Sequence, residues 1–531
     1  MPEELGPLIS AIESLPKAEQ EDVLKHLAQV TSTEELQALI YEYPKWLKAL
    51  QDILKGGGAD EQLEIPAVFQ PLVDEAMGAR DSFSQTLEIE NLNKAINAWQ
   101  RILGHTDFAA ASETFRMNVF NTAGVDNLRR YWMTGEIDVL QTAIMSLQAA
   151  LPLVSKTSPD RSSVLSNLGA AMRENFLHSG DLTVLEQATQ YCQEAVDSTP
   201  QTMIQRGDYL VNLGNCRHTL YGLKGGASDL AESINCYKQA LDLLPSVSPK
   251  VAQILTNLGG ALRDLYALNG DAELLNESLQ HLRQAAATMP PAAPSYVSLM
   301  NNLGNVLYDF YSYSSDPADL NDAIKYLQKA VHLLPSDSPH LSTTLLKLGD
   351  SLYVRYVKMG EPDDLDNAVE SFQRASELSQ GKPSELEIAQ LRLAMTLRYR
   401  YERSRGLSDL GRVIELLRKI VRAAPKTSTS VHSSLINLGG SLFMRFEHTG
   451  KAEDLNESVE CYRKAVELLP EKSEEEADYL NKLAQALLER YSFTGDLVDL
   501  KDSMQTHKRA STLSASNPAT EAIKALRGVP S

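Results

Sequence analysis

Apolar and polar positions along this chain recur with a period of 45 residues. The tripeptide Asn-Leu-Gly stands at Asn167-Leu168-Gly169, Asn212-Leu213-Gly214, Asn257-Leu258-Gly259, Asn302-Leu303-Gly304 and Asn437-Leu438-Gly439. Stepping by 45 from these glycines reaches Gly124 and Gly349, then Ala394 and Ala484, which makes nine units in one register. Leucine follows the small residue by sixteen in every unit, from Leu140 to Leu500, and an aromatic follows it by seven, from Tyr131 to Tyr491. Alanine fills a further column at Ala150, Ala195, Ala240, Ala285, Ala330, Ala375, Ala465 and Ala510, with Ile420 as the exception. Such spacing marks an array of one supersecondary unit rather than a set of unrelated domains.

Each unit predicts two helices. Around Gly259, Pro249 suits a first helical turn, and Leu255, Leu258, Leu262 and Tyr266 form a stripe of helical period. Asn269-Gly270 supplies a left-handed C-terminal turn, and Asp271 or a nearby polar residue caps a second helix through Leu275, Leu279 and Leu282 to about Ala286. Pro290 ends it. Neither helix has enough apolar face for a core alone, so the hairpins stack on one another.

These units resemble the tetratricopeptide repeat family, whose consensus is about 34 residues long. In the unit starting near Ser163 the matching residues are Leu165, Leu168-Gly169, Ala188, Cys192, Ala195 and Pro200. The extra residues fall between Gly169 and Ala188 and between Pro200 and Gly214, which lengthens the first helix at both ends. The long form is similar to repeats in bacterial and fungal proteins that are often fused to a CHAT peptidase or a nucleotide-binding signalling domain. The resemblance covers about residues 109–515. It implies an all-α, right-handed α-solenoid whose first helices line a concave, partner-binding groove. It also implies that any CHAT protease is a separate partner, since one short helix-like tail, 518–528, follows the repeats.

Residues 1–108 are less regular. Leu92, Ala95, Trp99 and Ile102 mimic the second helix of a degenerate unit, and residues 1–55 carry helical periodicity up to Gly56-Gly57-Gly58. The expected organisation is a helical cap over 1–108, nine repeats over 109–515 and a capping tail over 516–531. A separate partner-docking module is the other reading of the first segment.

Composition narrows the function classes. Fifty basic against seventy acidic side chains give −20, which argues against general nucleic-acid or anionic-membrane binding. Four cysteines without a CxxC pair suit neither a disulfide framework nor a zinc cluster, and fit a reducing, cytoplasmic setting. No apolar run approaches the roughly 20 residues a bilayer crossing needs. Neither HExxH, GxSxG, a Walker loop nor a spaced metal-ligand set occurs, so no catalytic, cofactor or metal site is expected.

Candidate binding residues come from helical geometry. At about 100° per residue, positions −6, −2, +1 and +5 from the glycine face away from the stacked side. The −2 column holds Asn212, Asn257, Asn302, Lys347, Arg392, Asn437 and Lys482 among its nine members. In the resembled family this position contributes to a clamp for a peptide's terminal carboxylate. Asparagine can bond extended backbone, and lysine or arginine can bond a carboxylate or phosphate. The competing use of the asparagines is bonding between neighbouring helices. Residues 383–427 carry ten Lys/Arg and five Asp/Glu, a local +5. Lys347, Arg392 and Arg398, flanked by Asn302 and Asn305, therefore form the expected anion-binding patch. Its alternative is a convex basic surface balancing the acidic stretch 451–478. A further column, Arg130, Arg355, Arg400, Arg445 and Arg490, is expected to pair with the aspartates that precede the repeat leucine. The functional expectation is a non-catalytic scaffold or sensor that binds a protein or peptide bearing an acidic feature. The alternative is a solenoid enzyme or small-molecule receptor using the same groove.

Overall fold

Glycine and alanine recur where two helices must approach closely, and the chain folds accordingly into paired helices. The computed structural model describes residues 65–244, 248–338, 340–423, 431–470 and 473–515. Among these residues the secondary structure is helical, with no strand. The chain divides at residues 339/340 into two units.

In the first unit the pairs are α1 (Gln70–Thr86) with α2 (Ile89–Leu103), α3 (Glu113–Thr134) with α4 (Ile137–Ala150), and α5 (Asp160–Ser179) with α6 (Leu182–Asp197). They continue as α7 (Gln205–Lys224) with α8 (Ala227–Leu243), α9 (Pro249–Asn269) with α10 (Ala272–Thr288), and α11 (Tyr296–Ser314) with α12 (Pro317–Leu333). The second unit holds α13 (Leu341–Met359) with α14 (Asp364–Leu378), and α15 (Pro383–Ser404) with α16 (Leu407–Ala423). It also holds α17 (Val431–Thr449) with α18 (Ala452–Glu467), and α19 (Glu476–Thr494) with α20 (Leu497–Ala515). The fold is an all-α solenoid of stacked helix hairpins. The expected cap falls partly on residues 1–64, and the expected tail on 516–531, both outside the described residues.

The columns explain the pairing. All eight alanines are fully buried, and Ile420 is buried in their place. A Cβ on Gly304 would lie 2.5 Å from Leu327 Cγ, and one on Gly349 would lie 2.6 Å from the Phe372 ring, so hydrogen alone fits there. The aromatic column is mixed: Tyr131, Phe176, Tyr401 and Phe446 are buried, whereas Tyr221, Tyr266, Tyr311, Tyr356 and Tyr491 are half-buried.

Every first helix of the nine repeats ends in the same way. A residue in the left-handed region donates its N–H to the carbonyl of the column aromatic, as in Gly270 to Tyr266 at 2.8 Å. Seven of these residues are glycines with φ between 68° and 78°, and Ser315 and Arg405 adopt 57° and 56° instead. A side chain at such φ costs about 1 kcal/mol or more. Asp271 then caps α10 by accepting from the Glu273 N–H at 3.0 Å.

Residues 65–103 join the array through a buried carboxylate. Asp126 on α3 accepts from Trp99 Nε1 at 2.9 Å and from Arg80 Nε at 3.0 Å, so α1 and α2 are both tied to the first repeat. Arg129 stands 3.5 Å from the same group. An unpaired carboxylate at this depth would be costly, and two guanidinium groups with one indole offset that cost.

Candidate functional site

Periodicity alone assigns the −2 asparagines to an open face. In the first unit their amide nitrogens turn toward the preceding first helix. Asn167 Nδ2 donates to Asn121 Oδ1 at 3.0 Å, and Asn212 Nδ2 to Ser166 Oγ at 2.9 Å. Asn257 Nδ2 donates to Asn215 Oδ1 at 2.9 Å, and Asn302 Nδ2 to the Thr256 carbonyl at 3.0 Å. Asn215 also accepts from the Tyr237 hydroxyl at 2.8 Å. The column therefore links successive repeats, and its half-buried amides have committed one donor each. Asn305 departs from the expected groove wall: it is buried, with an Oδ1 that has no hydrogen-bond partner.

In the second unit the same column holds Lys347, Arg392, Asn437 and Lys482, of which Arg392 is exposed and the others half-buried. On α15 the expected face is Ile388, Arg392, Met395 and Tyr399, spaced so that they share one stripe. Ile388 is 51% exposed and Met395 45%, while the Arg392 side chain is 50% exposed. Arg392 Nε lies 3.3 Å from Asp350 Oδ1, and Lys347 also acts on that carboxylate. Burial pushes the Asp350 carboxyl above the usual carboxylate range, against the pull of Arg392 and Lys347. Asp350 was not legible as a site residue, because the +1 column varies freely and offers no pattern. Its placement opposite the −2 residue of the next repeat repeats the geometry of Asn215 with Asn257.

Arg398 donates from Nη1 to Asn437 Oδ1 at 3.2 Å and stands 3.7 Å from Glu402. Beside it runs an aromatic seam. Tyr399 meets Tyr353 edge-on at 5.7 Å and Tyr356 at 6.0 Å, with the Arg403 guanidinium 5.6 Å from its ring centre. The arrangement can present cation, aromatic face and aliphatic surface to one ligand. Lys482 is more engaged, in a salt bridge with Asp478 and 5.9 Å from the Tyr479 ring centre.

The local +5 divides by role. Arg392, Arg398 and Arg403 make the contacts described above, whereas other members pair structurally. Arg400 bonds Asp409 and Asp366, Arg412 bonds Gln373, and Arg418 bonds Glu457. Glu457 lies in the acidic stretch 451–478, so part of the charge does balance that segment. The arginine column pairs as its spacing suggests. Arg355, Arg400, Arg445 and Arg490 each grip the carboxylate nine residues on, namely Asp364, Asp409, Asp454 and Asp499, through two nitrogens. Arg130 takes Glu136 instead, at 3.1 Å.

Among the described residues no group of three or more His, Cys, Asp or Glu could hold a metal ion, and no helix is long and apolar enough to cross a membrane.

The ninth repeat, α19 with α20, spans the segment matched by the profile described as Tetratricopeptide repeat, residues 477–511. The chain carries a tetratricopeptide repeat. No curated protein sequence matches it. Solved structures resembling it include human IFIT1 as a dimer with PPP-AAAA, at 16% identity and TM-score 0.41, covering 86% of this chain and 96% of that one. Another is the signal transduction ATPase with numerous domains from Pyrococcus horikoshii, with a tetratricopeptide repeat sensor. It has 11% identity and TM-score 0.45, over 77% of this chain and 53% of that one. YrrB, a tetratricopeptide protein with an unusual peptide-binding site, has 20% identity and TM-score 0.28, over 43% and 93%.

Proposed function

We propose that this protein is a non-catalytic binding scaffold whose open surface on α13, α15 and α17 engages a peptide or protein segment through a carboxylate. The observation that carries this reading is Arg392. It stands half exposed between Ile388 and Met395 on one stripe that also carries Tyr399, and Lys347 acts with it on the Asp350 carboxylate. A cation flanked by aliphatic and aromatic surface suits an acidic side chain or terminal carboxylate next to an apolar residue. The tetratricopeptide match at residues 477–511 supports a partner-binding role for the protein as a scaffold. A separately encoded CHAT-type protease or signalling enzyme is the partner class that the long-repeat resemblance implies, and the reading places the protein in the cytoplasm.

The test is a capture of partners from the native host, followed by calorimetry with the captured segment. Arg392→Glu and Lys347→Glu should each weaken binding at least tenfold, while circular dichroism stays unchanged. Full retention of binding by both variants overturns the site.

A further inference from the structure

The four cysteines are all free thiols and all buried, yet two of them are neighbours. Cys192 on α6 and Cys216 on α7 bring their sulfurs to 3.9 Å, although they belong to successive repeats and lie 24 residues apart. No side chain intervenes at that distance. Gly169 leaves the room for this approach, because a Cβ there would collide with Cys192 Sγ. The Arg173 guanidinium acts on both sulfurs and favours their charged forms.

A solvent-open cleft lies beside residues adjacent to the pair, while both cysteines are themselves fully buried. The cleft, of about 560 Å³, opens between α6 and α7, lined by Glu186, Thr189, Gln193, Glu194, Arg217 and Leu220, among others. Gln193 and Arg217 directly follow the two cysteines in sequence, and Leu220 lies one turn beyond Cys216. The buried Thr189 hydroxyl in the cleft lining donates to the Leu185 carbonyl at 2.8 Å.

We propose that Cys192 and Cys216 form a reversible disulfide, made by a small hydroperoxide entering the α6–α7 cleft and cleaved by a dithiol reductant. Cys216 is the attacking sulfur. Hydrogen bonding from Cys192, together with Arg173 and Thr189, holds its thiol below the ordinary range against the opposing effect of burial. Its thiolate attacks one peroxide oxygen, the O–O bond breaks, and the departing oxygen leaves as water after protonation. The resulting sulfenic acid is attacked by the Cys192 sulfur, which forms the S–S bond and expels the second oxygen as water. Two thiols and one hydrogen peroxide give one disulfide and two waters. The two electrons pass from sulfur to the O–O bond. Closing from 3.9 Å to the bonded length of about 2.05 Å draws α6 and α7 together. The bond would lock the second repeat to the third, independently of any ligand on the second unit.

The experiment uses the full chain in its native buffer with hydrogen peroxide as the probe. Thiols are then counted in denaturant, and peptides are mapped without reduction. The expected result is a fall from four free thiols to two and a linked peptide pair containing Cys192 and Cys216. The urea midpoint of the oxidised protein should rise and return on addition of dithiothreitol. Cys216→Ala and Cys461→Ala distinguish the pair from other thiols: the first abolishes the link and the second preserves it. If either variant fails to fold, the wild-type peptide map alone decides. Four thiols remaining, a link to Cys236 or Cys461, or a Cys192–Cys216 link that appears in urea but not in native buffer would each overturn the proposal.

Discussion

Arg490 clasps the carboxylate of Asp499 through two parallel hydrogen bonds, Nε to Oδ2 at 2.8 Å and Nη2 to Oδ1 at 2.7 Å. The two residues sit on α19 and α20, and Asp499 is buried. Planar guanidinium matches planar carboxylate here, a fit that an ammonium cannot copy. Asp499→Ala leaves the guanidinium partly buried without its acceptor and should cost about 2 kcal/mol. Arg490→Lys should cost about 1 kcal/mol by losing one of the two bonds. Urea unfolding followed by circular dichroism measures both, and midpoints equal to that of the wild type would show that the clasp contributes nothing net.

Asp350 partly neutralises Arg392 on the proposed binding surface, where Lys347 acts on it as well. Asp350→Asn removes one negative charge without changing the shape of the side chain. An acidic peptide should then bind roughly five-fold tighter, equivalent to about 1 kcal/mol, and the gain should shrink as salt rises. Fluorescence anisotropy at low and high ionic strength reads this directly. A tighter complex whose gain ignored salt would point to a packing change rather than to charge.

Alkaline titration should expose the buried acids of the second-helix row. Burial pushes Cys236 from 9.0 to about 11 and Cys461 from 9.0 to about 12, and raises Tyr462 from 10.0 to about 12. For groups whose folded pKa is raised, the native state holds the proton more tightly than the unfolded chain does. Their contribution is complete below about pH 9 and is lost as pH climbs toward 12. Unfolding free energy from urea curves should therefore be flat to about pH 9 with respect to these groups and fall above it. In Cys461→Ala the fall should be shallower, and an unchanged slope would contradict the assignment.

Much of the fold follows from periods that any one helix pair makes visible. The arginine column and its aspartates are nine residues apart within one hairpin, so a single unit contains both partners and the turn between them. The asparagine ladder shows the opposite situation. Helical projection places Asn212 and Asn257 on one side of their own helices, but whether they meet solvent or Ser166 and Asn215 depends on the distance to the preceding repeat. That distance is a property of packing, absent from a single helical wheel. Asp350 was hidden for a related reason. Its column holds Asn215, Gly260, Asn305 and Met395 elsewhere, and an acid becomes meaningful there only when Arg392 is seen opposite. Cys192 and Cys216 illustrate the same limit, since separate helices bring them together.

The turn between the two helices of each repeat has a consequence for how such a chain can change over time. Because the same backbone hydrogen bond closes all nine first helices, each at the carbonyl of the column aromatic, the ends of one repeat match the ends of the next. Removing or copying a 45-residue block inside either unit rejoins equivalent bonds and leaves every neighbour in register. The number of repeats, and with it the length of surface offered to a partner, is then a quantity that gene duplication can adjust in whole steps.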